Sequence, residues 1–190
     1  GGFDYTSRVE LLPFGSFTSK GDYFGSDLKR EEVPKLALGL TYDYNVNASR
    51  QRGNTGSFLG QTRTLSTIFA DMMFKYKGFS VMAEYAIKSS DGSSVFIDET
   101  DSLEYNFVTG SALNIQAGYL LPSDWELAAR FTSVTPEYIL EQDDVSMYTV
   151  GISKYIDGHN LKVQSDFSII REGEMEDSYL ARLQFELSFN

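Results

Sequence analysis

Apolar and polar residues alternate from Thr67 to Lys88 on both sides of Lys77-Gly78, a pair suited to a two-residue hairpin turn. Folding the chain there sets Tyr76 against Phe79, Phe74 against Val81, Met72 against Ala83, Ala70 against Tyr85 and Ile68 against Ile87. Strand side chains alternate with period two, so all of these share one face. The other face pairs Lys75 with Ser80, Met73 with Met82, Asp71 with Glu84 and Thr67 with Lys88. One face is wholly apolar and the other polar and charged.

The same alternation recurs along the chain. Phe3 to Leu12 and Lys35 to Asn45 read as strands, joined by a long Gly-, Ser- and charge-rich connection. Within that connection only Asp27 to Glu32 suggests a helical turn. Asn45 to Thr62 reads as a polar loop, and Ser89 to Gly110 as a long acidic one. Ser111 to Leu121 and Trp125 to Phe131 flank the turn Pro122-Ser123-Asp124, which sets Gln116 against Arg130 and Asn114 against Thr132. Thr135 to Asp144 is a further acidic loop. Asp157-Gly158 centres a third hairpin, predicted to pair Ile156 with His159, Lys154 with Leu161, Ile152 with Val163, Val150 with Ser165 and Tyr148 with Phe167. The acidic REGEMEDS then precedes a last strand from Ala181 to Phe189.

Nine strands are thus predicted, most of them about 9–11 residues long, the length a tilted transmembrane strand needs. Short turns alternate with long loops over the second half, as periplasmic turns alternate with extracellular loops in outer-membrane barrels. Tyr76, Phe79, Tyr119 and Trp125 stand beside the short turns, and Tyr44, Tyr85 and Tyr148 toward the opposite ends, as two interfacial girdles would. The apolar face is nearly free of charge. Its exception, Lys154, lies near a turn, where it can snorkel. The expected fold is therefore all-β: an antiparallel transmembrane β-barrel, with residues 1–190 as one barrel domain or the C-terminal portion of one. A soluble β-sandwich binding module is the competing fold, since it also alternates its strands.

Composition narrows the classes. Aromatic residues make up 14% and Cys is absent, which excludes disulfides and thiolate metal sites. A net charge of -11 argues against nucleic acid as a partner. No apolar run is long enough for a membrane helix, and the N-terminal residues do not read as a signal peptide.

RVELLPFGSFTSKGDYFG, PKLALGLTYDYN, ADMMFKYKGFSVMAEY, YTVGISKYIDGHNLKVQSDF and the terminal LARLQFELSFN together resemble the C-terminal half of the phosphate-selective porin O and P family. The resemblance implies a trimeric outer-membrane barrel of about sixteen strands in a Gram-negative bacterium, passing small hydrophilic or anionic solutes. It implies further strands outside this chain, because bacterial barrels have even strand numbers. It carries over no phosphate-binding residue, since no motif aligns one by position. A porin transporting ions or phosphate is the expected function. A non-conducting outer-membrane barrel acting as an adhesin, receptor or assembly partner is the alternative.

Arg8, Lys75, Lys88, Arg130, Lys162 and Arg182 fall on polar faces and are the candidate pore-lining, anion-binding residues. Asp71, Glu84, Glu126, Asp166 and Glu186 are the lumen carboxylates that would pair with them. Adjacent carboxylates such as Asp71 and Glu84 can serve acid–base chemistry. Here no nucleophile or His partner accompanies them, so no enzyme activity is expected, and a charge pair balanced by Lys75 or Lys88 is the simpler reading. His159 reads as an interfacial residue beside a turn. The acidic runs at Asp98–Asp101, Glu141–Asp144 and Glu172–Asp177 lack the spacing of a calcium loop. They read as solvated loops, and neither metal nor cofactor is expected. Basic and acidic side chains at one depth of the lumen would give a weak anion preference.

Overall fold

A computed structural model describes residues 2–97, 104–158 and 160–188. Its main element is an antiparallel sheet of nine strands in sequence order. They are β1 (Asp4–Leu11), β2 (Lys35–Arg50), β3 (Phe58–Tyr76), β4 (Phe79–Ser90), β7 (Gly110–Leu120), β8 (Trp125–Pro136), β9 (Val145–Asp157), β10 (Leu161–Glu172) and β11 (Ser178–Leu187). A separate hairpin, β5 (Val95–Ile97) with β6 (Glu104–Asn106), lies in the connection between β4 and β7. The sheet is open, with β1 and β11 as its edges.

The β3–β4 hairpin has the register read from the alternation, from Tyr76 opposite Phe79 to Thr67 opposite Lys88. Lys77 and Gly78 have φ of 48° and 86°, the two positive values a type I′ turn requires. The β7–β8 pairing also agrees, with Gln116 opposite Arg130 and Asn114 opposite Thr132.

The third hairpin differs. Ile152 lies opposite Ser165 rather than Val163, and Val150 opposite Phe167 rather than Ser165. Asp157 pairs with Leu161, and a register shift between Leu161 and Lys162 takes up the odd residue. Asn160 N–H donates to Asp157 O at 2.9 Å, so the turn is a longer loop with a bulge, not a two-residue I′ turn. The net slip in the body of the strands is two residues. An even slip leaves every side chain on its own face, so hydrophobic patterning cannot detect it. The predicted pairing of His159 lies outside the described residues.

The two faces differ in burial in the sense opposite to a soluble sandwich. The outward positions include Tyr42, Ile87, Ile115, Tyr119, Leu127, Val150 and Phe185, all exposed. The inward positions include Asn45, Thr67, Lys75, Ser80, Glu126, Thr149 and Ser168, all buried. Lys154 stands on the outward face, its Nζ 2.6 Å from Ser123 O in the adjacent turn and 5.8 Å from the Trp125 ring.

Connections cover the inner face at both ends. Residues 12–34 join β1 to β2 at the end that holds the short turns, a long connection outside the second half for which the short-turn/long-loop alternation is predicted. Two short turns meet in Thr18–Tyr23, with Ser19 and Lys20 in the left-handed region, while residues 27–32 hold a single turn closed by Arg30 N–H to Asp27 O at 3.0 Å and no helix. Phe17 packs with Ala37 and Met73 and against Met82. Met73 and Met82 are apolar residues on the polar face, and this packing is why they stand there. At the other end the predicted Asn45–Thr62 loop is shorter: β2 runs on to Arg50 and β3 starts at Phe58. Ala48, Leu59, Leu65, Phe96 and Phe107 form a second cluster there. The described parts of the predicted acidic loop around Phe96 and Phe107 are therefore folded over the sheet.

Candidate functional site

The predicted charged residues all lie on the inner face, but they have unequal roles. Arg8 on β1 grips Asp71 on β3 with two hydrogen bonds, 2.6 and 2.8 Å long. It also reaches Glu10 at 3.1 Å and Thr41 at 3.0 Å. Gly39 lies between them on β2, and a Cβ there would overlap both the guanidinium and the carboxylate. Glu84 accepts from the Asn114 amide at 2.9 Å. Asp71 is therefore balanced by Arg8, not by Lys75 or Lys88.

Lys75 presents no free ammonium. It is 1% exposed, and its three protons go to the carbonyl oxygens of Gly21, Phe24 and Ser26 at 2.7, 2.6 and 2.6 Å. Asp27 completes the anchor by accepting from Gly78 N–H at 2.8 Å and from Glu31 N–H at 3.1 Å. Arg30 donates to the carbonyls of Leu120 and Leu121 at 2.8 and 2.5 Å. Residues 12–34 are thus clamped to both neighbouring turns.

A cavity of about 380 Å³ lies between this connection and β8–β11. Its charges are Glu126, Asp166 and Glu186 against Arg130, Lys162 and Arg182. Arg182 pairs with Asp166 at 2.9 Å and Lys162 with Glu186 at 2.9 Å. Glu126 is buried and accepts from the Tyr155 hydroxyl at 2.7 Å. Arg130 is the cation of this cavity with no partner among the described residues, and its Nε is buried and unbonded. Lys88 lies toward the long-loop end, with Nζ 2.8 Å from Arg52 O.

At that end Glu137 ties the β5–β6 segment to the end of β8. Its Oε2 accepts from Ser94 and from Thr109, each at 2.6 Å. These bonds hold the carboxyl below the ordinary carboxylate range, the Ser94 bond most strongly. The clamp is therefore fully formed above the unfolded-state pKa and weakens as pH falls through the lower folded-state value. Acidification should lower the protection of the Phe107 amide relative to its intrinsic exchange rate at each pH, and Glu137→Gln should lower it at neutral pH and flatten its pH dependence. Equal pH profiles for the two proteins would remove Glu137 from this role. Among the acidic runs, Asp177 pairs with Arg171 at 3.2 Å. The run at residues 98–101 lies outside the described residues. Among those described, no three His, Asp or Glu side chains cluster closely enough to hold a metal ion.

No family model, curated protein or solved structure matches this chain.

Proposed function

We propose that this chain forms part of the wall of a water-filled outer-membrane β-barrel, passing small hydrophilic solutes with a weak preference for anions. The inverted burial of the two faces carries this reading. An exposed apolar face fits lipid, and a polar face holding buried Lys, Glu and Thr fits a wet lumen. Eight of the nine main strands are at least 10 residues long, enough to cross a bilayer. Each unpaired edge group in hydrocarbon would cost several kcal/mol, so β1 and β11 must meet further strands, from the same polypeptide or another. The resemblance to phosphate-selective porins agrees with this reading but adds no ligand residue.

Arg130 supports the anion preference, because each other cation of its cavity is neutralised by a carboxylate or held by one. In a planar bilayer under a salt gradient, the protein should give stepwise currents with a reversal potential on the anion side. Arg130→Ala should move that potential toward cations. Arg182→Ala should do the same by freeing Asp166. Currents with an unmoved potential in both variants would leave a general pore without this selectivity. The inward-folded segments at both ends favour a second reading, a barrel whose lumen is occluded and whose loops bind a partner. Correctly inserted protein that carries no current would decide for it.

A further inference from the structure

One row of the inner face is apolar. Phe69, Ala86, Ala112, Val134 and Val145 lie opposite one another in turn across β3, β4, β7, β8 and β9. The next row toward the short turns holds Asp71, Glu84, Asn114 and Thr132, and the next row the other way holds Asp43, Thr67 and Lys88. The apolar clusters at the two ends of this face lie under connections. Phe69 does not: it is 43% exposed. Among the described residues it is the one exposed aromatic side chain at an inward strand position, since Tyr155 is buried.

Ala86 and Ala112 leave room beside the Phe69 ring. A cavity of about 480 Å³ opens there, with Thr67, Asp43, Asn45 and Lys88 on its rim, and a second of about 430 Å³ lies on the other side with Asp71, Glu84 and Asn114. Both volumes suit a small organic ligand. The charges of the first cavity, Asp4 and Asp43 against Arg52 and Lys88, sum to zero. Three of them are already engaged, Asp4 by Asn54, Asp43 by Thr6 and Lys88 by Arg52 O.

We propose that this recess binds a neutral carbohydrate ring. A pyranose has a face of C–H groups bearing slight positive charge, which the negative face of an aromatic ring attracts. Its hydroxyls both donate and accept, matching a rim of amide, carboxylate, hydroxyl and ammonium groups. A hydrated inorganic anion gains nothing from Phe69 and the two alanines. A wholly apolar solute would strip water from the rim groups and offer them no further hydrogen bond. Passage of the sugar through the lumen rests on the pore reading, but its binding does not.

The test is saturation-transfer NMR on the full chain in detergent, with methyl β-D-glucopyranoside and inorganic phosphate as probes. The glucoside ring C–H protons should receive saturation, and phosphate should not displace the sugar. Phe69→Ala should weaken binding about tenfold, the scale of one aromatic contact, while Phe69→Trp should retain it. Ala112→Leu fills the recess with Phe69 intact and should weaken binding as well. No transfer to the wild-type protein, displacement by phosphate, or wild-type affinity in both Phe69→Ala and Ala112→Leu would overturn the proposal. Bilayer currents keep the two readings apart: sugar binding without current removes the pore and leaves the recess, and current without sugar binding does the reverse.

Discussion

Replacing Lys75 by Met is expected to release residues 12–34 from the inner face while leaving the nine-stranded sheet intact. The ammonium holds three carbonyls of the connection, at Gly21, Phe24 and Ser26. A hydrogen bond to a charged group contributes about 1.5–3 kcal/mol. Three of them exceed what is lost in the experiment, because the mutation also removes the cost of burying the charge, and the freed carbonyls regain water as the segment lifts. A net loss of about 3 kcal/mol is expected, which raises amide exchange by about two orders of magnitude. The amides to follow are Phe24, Arg30 and Lys77, which donate to Gly21, Asp27 and Glu31 carbonyls. Amides of the β7–β8 ladder should keep their protection. Unchanged exchange at all three reporters would mean that Phe17, Asp27 and Arg30 hold the segment without Lys75. In a conducting protein the same substitution should widen the short-turn end and raise the single-channel current.

Ile115→Arg is expected to cost about 2–4 kcal/mol of stability in lipid, the range for a basic side chain at the bilayer midplane. Ile115 lies on the outward face of β7, exposed, opposite Ala83 and Phe131 and midway between the strand's ends. Its neighbour Asn114 points inward, where it bonds Glu84. Asn114→Arg should therefore change stability far less, since the new cation meets a carboxylate in a wet environment. Urea unfolding from lipid vesicles separates the two. Equal midpoints for the two variants, or folding that needs neither lipid nor detergent, would contradict the assigned faces and return the chain to the soluble sandwich.

The charged residues of the inner face were legible one by one, but their partners were not. Period-two alternation places Arg8, Lys75, Arg130 and Arg182 on one face whatever the fold. It says nothing of which carboxylate each meets across strands. Arg8 reaches past β2 to Asp71 on β3 through the gap that Gly39 leaves, a contact between residues 63 apart. Phe69 carries no signal within its own strand, where Met73 interrupts the same polar face. Its apolar row exists only after five strands are aligned. Tyr155 had a readable signal, its position on the polar face of β9, but its Glu126 partner depends on the β8–β9 register.

The sequence by itself determined the nine main strands, the two faces and the registers of two hairpins, because alternation and turn chemistry are local and act together at Lys77-Gly78. It left the third hairpin open to a two-residue slip, because that slip moves no side chain between faces. Tertiary structure alone decided where residues 12–34 and the β5–β6 segment go. Their sequences are rich in Gly, Ser and charge, as solvated loops are. What draws the first inward is distant: Met73 and Met82 need cover from Phe17, and Lys75 needs oxygen atoms that its own strand cannot supply. Such needs arise only when the sheet has brought those residues together, so no local pattern records them.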